Sequence, residues 1–193
     1  MDFRLNVLLV TVAILGMAVG TTHAADNFGI GTTVNSSGNT LYVALRSNSL
    51  MIEPTFYSYR NERSDKDGSG FYELNNTEAY GIGILLLNTL DDDAKVEAYW
   101  GLRLTTVSIH TDWQYLDQNL TTVTAQENGT ALVVEPTLGI QYFFTPKYSL
   151  SVDVSYFQQN GTVDQIVDGL RVGSYDHDFS GTRAKVILRG YFR

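Results

Sequence analysis

The chain has 193 residues and a formal net charge of −8, with 13 Lys and Arg against 21 Asp and Glu. That length favours one domain, or at most two small ones, and the acidic balance excludes a general nucleic-acid role, which needs a basic surface against phosphate. Cysteine is absent, so an oxidising compartment is allowed but no disulfide framework contributes to stability.

At the N-terminus Arg4 supplies a short positive region, Val7 to Val19 is almost wholly apolar, and Thr22-His23-Ala24 puts small residues at the cleavage-determining positions. The pattern predicts a secretory signal over residues 1–24, cleaved after Ala24, and a mature domain over 25–193. A transmembrane helix is the alternative. The apolar run falls short of the roughly 20 residues a span needs, and no stop-transfer charges follow. The longest later apolar run, Ile82 to Leu87, has Gly83 inside it. A membrane-embedded form of this chain therefore has to be a closed barrel, the other structure that satisfies its own backbone hydrogen bonds in lipid.

From Phe28 onward the dominant pattern is alternation with period two, which marks strands. In chain order the strands are expected at 27–34, 39–46, 50–60, 77–89, 94–109, 129–144, 148–159 and 179–192. Turns are expected at 35–38, 47–49, 90–93 and 145–147. Longer polar connections are expected at 61–76, 110–128 and 160–178. After the first strand the connections thus run moderate, short, long, short, long, short, long. Short periplasmic turns, longer extracellular loops and an even strand count characterise bacterial outer-membrane barrels. The expected fold is all-β: an eight-stranded antiparallel up-and-down transmembrane β-barrel, with both termini periplasmic.

The two faces differ. In 129–144, Leu132, Val134, Pro136, Leu138, Ile140, Tyr142 and Phe144 share one face, opposed to Val133, Glu135, Thr137, Gly139 and Gln141. In 94–109, Val96, Ala98, Trp100, Leu102 and Leu104 oppose Lys95, Glu97, Tyr99, Gly101 and Arg103. A soluble barrel with its charges outward has the same periodicity. Three features favour apolar outward. Glycines (Gly29, Gly31, Gly81, Gly83, Gly101, Gly139) suit a narrow lumen. Aromatics near strand ends (Phe28, Phe56, Tyr80, Tyr142, Phe144, Tyr148, Tyr156) suit interfacial girdles. The last strand closes in Tyr191-Phe192. By the same parity the lumen carries Glu53, Glu97, Glu135 and Asp153 with Arg46, Lys95, Arg103, Arg183, Lys185 and Arg189. This mixed set predicts a salt-bridged plug rather than a wide channel. Counting from the strand ends places Asp153 and Arg189 at similar depth on neighbouring strands.

The segments Phe28-Gly29-Ile30-Gly31, Ile52-Glu53-Pro54-Thr55, Leu138-Gly139-Ile140-Gln141-Tyr142-Phe143-Phe144 and Leu188-Arg189-Gly190-Tyr191-Phe192 resemble the small outer-membrane β-barrel families of the OmpA/OmpX type. The resemblance covers nearly the whole mature chain. It implies that the terminal aromatics, Tyr191 and Phe192, are the recognition signal for the outer-membrane assembly machinery. Here Arg193 follows Phe192, a departure from the family's usual final aromatic.

Chemistry is expected in the long connections. Asp65, Asp67, Ser69, Gly70 and Glu73 match positions one, three, five, six and nine of a calcium loop. Position twelve is Asn76 in place of the bidentate Glu, so only a weak Ca2+ site is implied; no other cofactor is. His110 with Asp112, and His177 with Asp178, have the residue types for general-base chemistry at an outer rim. Neither a nucleophile elbow nor the His-x-Ser-Asn pattern of lipid A deacylases is present. Loop aromatics such as Phe71, Tyr72, Trp113, Tyr115 and Tyr175 are candidate binding anchors. The expected role is non-catalytic: a monomeric outer-membrane barrel with a structural or surface-binding function. Outer-membrane lipids and lipopolysaccharide are its neighbours, and the assembly machinery its partner during biogenesis. A lipid A- or phospholipid-modifying enzyme and a narrow solute channel are the alternatives.

Overall fold

A strand that alternates apolar and polar residues offers one face to lipid and one to a lumen, and only ring closure leaves no edge unpaired in the bilayer. The structure is a computed structural model that describes residues 28–33, 39–47, 49–64, 71–90, 95–116 and 121–192. Its eight strands are β1 (Phe28–Thr33), β2 (Asn39–Ser47), β3 (Leu50–Ser64), β4 (Tyr72–Thr89), β5 (Val96–Leu116), β6 (Thr122–Thr145), β7 (Tyr148–Val167) and β8 (Leu170–Phe192). Each pairs antiparallel with the next, and β8 returns to β1 to close the barrel. The expected signal over 1–24, the turns at 35–38 and 91–93, the calcium-loop residues Asp65, Asp67 and Ser69, and Arg193 lie outside the described residues.

The strand boundaries correct the sequence reading at one end of the barrel. The connections expected at 61–76, 110–128 and 160–178 are largely strand. β5 continues to Leu116 and β6 begins at Thr122, while β7 runs to Val167 and β8 begins at Leu170. The last of these connections is a two-residue turn. Asp168 (φ 47°) and Gly169 (φ 80°) both take the left-handed conformation that a type I′ hairpin requires. Its tip is tied to β6: the Asp168 N–H donates to the Thr124 carbonyl at 2.9 Å, and Asp168 Oδ1 accepts from the Thr124 N–H at 3.1 Å. The polar composition of these segments has a physical cause. Where a strand stands in water on both faces, alternation is no longer imposed, yet the ladder continues.

The outward register records the border. On β6 the outward positions from Leu132 to Phe144 are apolar, whereas Gln126, Asn128 and Thr130 above them are polar. On β5 Trp100, Leu102 and Leu104 give way to Thr106, Ser108 and His110, and on β7 Tyr156 gives way to Gln158 and Asn160. The β6 apolar run spans roughly 40 Å of strand at ~3.3 Å per residue, hence roughly 28 Å of height at a tilt of ~45°, the thickness of a hydrocarbon core. Aromatic pairs sit at both borders: Phe28–Phe192 (6.1 Å) and Phe144–Tyr148 (6.2 Å) at the end bearing the termini, and Phe56–Tyr80 (5.1 Å) at the other. We call these ends the base and the rim.

Wall height is uneven. β1 has 6 residues and β6 has 24. β8 meets β1 only over Ile187–Phe192, and above Ile187 it is paired with β7 alone among the described residues. The lumen is packed by pairing glycines with large residues directly across the ladder. Gly29 faces Tyr191, Gly31 faces Arg189, Gly83 faces Arg103 and Gly139 faces Tyr99. A Cβ on Gly139 would stand 2.3 Å from Tyr99 Cζ, and one on Gly31 would stand 2.6 Å from Arg189 Cγ. An eight-stranded lumen has room for one large side chain at each such level.

Two measurements check this architecture. In single-tryptophan variants (Trp113→Phe and Trp100→Phe), quenchers attached to lipid acyl chains are expected to extinguish Trp100 and spare Trp113; equal protection of both would contradict the belt. Gly139→Val is expected to lower stability by about 1–3 kcal/mol, the cost of overpacking, read as a shifted urea midpoint in phospholipid vesicles.

Candidate functional site: a lumen cup above an ion-paired plug

The lumen is organised in levels. At the base Ala44, Met51, Leu85, Leu87, Tyr99 and Tyr191 form an apolar cluster with Phe143 against it. Arg46 meets Glu97 at 2.6 Å within it, its guanidinium 5.2 Å from the Phe143 ring and 5.5 Å from that of Tyr191. The Gln141 amide donates to the Tyr191 hydroxyl at 2.8 Å and to the Ser149 hydroxyl at 2.9 Å. Glu97 lies in the lumen as expected, but in this separate pair rather than in the main network. Lys95 is exposed, one residue before the start of β5.

Above the base is the plug. Glu53 is fully buried and takes two guanidinium groups. Arg103 donates to Glu53 Oε2 through Nε at 3.0 Å and Nη2 at 2.8 Å. Arg189 donates to Oε1 through Nε at 3.1 Å and through Nη2. Arg103 Nη1 also reaches Asp153 Oδ2 at 2.8 Å and the Thr137 hydroxyl at 3.2 Å, and Arg189 Nη1 reaches the Ser151 hydroxyl at 2.5 Å. The Tyr42 ring lies 5.7 Å from the Arg103 guanidinium and 5.9 Å from that of Arg189. The expected neighbourhood of Asp153 and Arg189 is corrected by the register: Asp153 stands opposite Lys185, and Arg189 opposite Ser149. Their carboxylate and guanidinium partners come instead from strands across the lumen.

One level higher Glu135 is shared. Arg183 donates to it through Nε at 2.9 Å and through Nη2, Lys185 donates through Nζ at 2.6 Å, and the Ser155 hydroxyl is a further donor. The Arg183 guanidinium lies 4.9 Å from the Phe157 ring, which packs against Phe179 at 5.4 Å.

These groups floor a cavity of about 330 Å³ to which all eight strands contribute. Arg103, Glu135, Arg183 and Lys185 form its floor. Thr33, Thr40, Thr55, Thr77 and Thr105 line one side with Tyr57, and Val107, Val133 and Phe157 line the other. It lies at the level where β1 ends and β2 begins. The Thr40 N–H donates to the Thr33 hydroxyl at 3.0 Å, fastening the low wall. Sequence reasoning does not pick out this cup. Its signal is present all the same, because five threonines share the inward parity on five successive strands just above the charged positions.

The histidine candidates do not combine. His110 Nε2 lies 2.9 Å from Asp112 Oδ2, and its Nδ1 meets the Asn128 side-chain oxygen, on the outward face of β5 above the belt. His177 and Asp178 are on β8, opposite Gly161 and Asn160. β6 and β7 intervene, a separation of three strand spacings of roughly 4.8 Å each. Neither ring nitrogen of His110 is held by a hydroxyl, the arrangement an activated serine needs. Both histidines stand on strands rather than loops. Glu73, the described member of the calcium pattern, is on β4 opposite Arg63 and Trp113, and no group of three or more His, Cys, Asp or Glu poised to hold a metal occurs among the described residues.

The closed ring, the outward apolar belt and the polar, filled lumen define an eight-stranded β-barrel of the outer-membrane type. Six solved chains match it in structure. A major outer membrane protein from Thermus thermophilus superposes with a TM-score of 0.57 at 13% identity, covering 86% of this chain and 99% of that one. Acinetobacter baumannii CarO gives a TM-score of 0.48 at 8% identity, covering 88% and 98%. At these identities the likeness is one of fold. No family model and no curated protein sequence matches the chain.

The plug makes a quantitative expectation. Glu53→Gln leaves the buried Arg189 without a carboxylate and is expected to cost about 3–5 kcal/mol, as for other broken buried pairs. Asp112→Asn at the partly exposed His110 pair is expected to change stability by less than about 1 kcal/mol. Urea unfolding of both variants in vesicles tests the contrast.

Proposed function

We propose that this chain is a non-catalytic protein of the bacterial outer membrane, with an occluded lumen and a binding role at its extracellular end. The observation that carries the reading is the stacked closure of the lumen by an apolar base cluster and an ion-paired plug, which leaves a blind cup open only towards the rim. In this reading the base with its short turns faces the periplasm and the tall rim faces outward, the usual arrangement of such barrels. The rim is built from paired strands, so the recognition surface is a rigid palisade rather than mobile loops. The barrel acts as a monomer surrounded by lipid and lipopolysaccharide. Tyr191 and Phe192, paired with Gly29 and Phe28 in the closing ladder, present the terminal aromatics to the assembly machinery.

The test is electrical. Reconstituted into planar lipid bilayers, the wild-type barrel is expected to give no conductance steps, whereas Glu53→Ala combined with Arg103→Ala is expected to open a measurable ionic path. Steps from the wild-type protein would replace the occluded reading with that of a narrow channel.

A further inference from the structure

We infer that the rim cup is a binding site for a small organic anion, one carboxylate or phosphate group carried on a hydroxylated body. The inference uses the closed floor of the lumen but not the non-catalytic, surface-binding role proposed above.

Charge balance comes first. In the plug two guanidinium groups, Arg103 and Arg189, meet two carboxylates, Glu53 and Asp153. That level is neutral. In the cup floor two cations, Arg183 and Lys185, share the single carboxylate of Glu135. One positive charge is left over, and it is left over in a chain whose net charge is −8. A general surface potential of this protein would repel anions, so the excess is local. Asp153 stands opposite Lys185 in the ladder, so the two levels are counted together: Arg103, Arg183, Lys185 and Arg189 meet Glu53, Glu135 and Asp153, and one positive charge is still in excess.

The unpaired charge also has donors to offer. Arg183 spends Nε and one terminal nitrogen on Glu135; its side chain is 41% exposed and makes no other hydrogen bond among the described residues. The Phe157 ring lies 4.9 Å from its guanidinium, one step towards the rim, and is packed in turn by Phe179. Gly181 opposite Phe157 leaves room for that ring, since a Cβ there would lie 3.1 Å from it. Lys185 Nζ makes one hydrogen bond, to Glu135, and an ammonium has three protons to give. A guanidinium edge and an ammonium converging on one cavity match a carboxylate or phosphate.

The walls define the rest of the ligand. Thr55, Thr77 and Thr105 line the side towards β3, β4 and β5, and a threonine hydroxyl both donates and accepts. Val107 and Val133 face the carbon skeleton. A volume of about 330 Å³ stands at the small end of ligand pockets, which run roughly 300–1,000 Å³. The cup opens towards the rim, so the anion is either a free solute or the headgroup of an anionic lipid.

The full barrel, purified in a zwitterionic detergent at low chloride, is titrated calorimetrically with gluconate and with inorganic phosphate. Both are expected to bind, and Arg183→Gln with Lys185→Gln is expected to weaken both at least tenfold. That double change strips Glu135 of its partners, so Thr77→Val with Thr105→Val provides a variant with every charge intact. It is expected to weaken gluconate and leave phosphate unchanged. Thermal unfolding in phosphatidylcholine vesicles with and without phosphatidylglycerol separates the sources. Stabilisation by phosphatidylglycerol that gluconate competes away upholds the site and assigns it to a headgroup; stabilisation by gluconate alone upholds it for a solute. Silence towards both anions and the lipid, or undiminished binding in the Arg183 and Lys185 double variant, overturns the inference. Neither result bears on conductance.

Discussion

The carboxylate of Glu53, clasped by Arg103 on one oxygen and Arg189 on the other, is the interaction on which the rest of the lumen depends. It joins β3, β5 and β8 through the centre of the barrel. Lipid surrounds the ring, so no charge at this depth is tolerated without a partner. The groups around it are fitted accordingly: the Tyr42 ring lies within 5.9 Å of both guanidiniums, Ser151 and Thr137 accept from them, and Asp153 takes what Glu53 does not. The glycines follow from the same constraint. Gly83 and Gly31 stand opposite Arg103 and Arg189, because a lumen of eight strands cannot hold a side chain on both sides of those pairs.

The plug divides the barrel into two unlike halves. Below it, an apolar cluster encloses one ion pair, Arg46 with Glu97, and the lumen is filled. Above it, carboxylates run out before cations do, the inner surface turns to threonine and tyrosine, and the walls lose their even height. The same residues that stabilise the closed half thus determine where the open half begins and what charge it carries. A filled lumen is therefore compatible with a functional one, provided that the filling stops short of the rim.

Much of this is legible in the chain, and what escapes a sequence reading escapes it for a definable reason. Within the bilayer, lipid on one side and a packed lumen on the other impose strict alternation, so the parity of Glu53, Arg103, Glu135, Asp153 and Arg189 can be read without coordinates. Pairing across the lumen cannot, because it depends on register and shear: Asp153 bonds to Arg103 on β5 rather than to Arg189 on the adjacent strand. Beyond the bilayer water bathes both faces, alternation lapses, and segments such as 160–178 read as loops. One local signal there is strong. Asp168-Gly169 lies between Ile166-Val167 and Leu170, a dipeptide whose tolerance of positive φ suits a two-residue hairpin. The cup requires a comparison across strands, since no single threonine among the five is informative.

The uneven height of the wall has a consequence for association. Above Ile187 one side of β8 carries amide and carbonyl groups with no described neighbour, and such a border is a template for any extended chain that meets it. The residues along it answer that hazard. Thr182, Ser180, Asp178 and Asp176 point one way along it, Gly181 and Gly173 deny a partner side-chain packing, and Arg171 adds charge near the tip, where it bonds Asp164 at 2.7 Å. Solvated and charged, this border offers little for an extended chain to pack against.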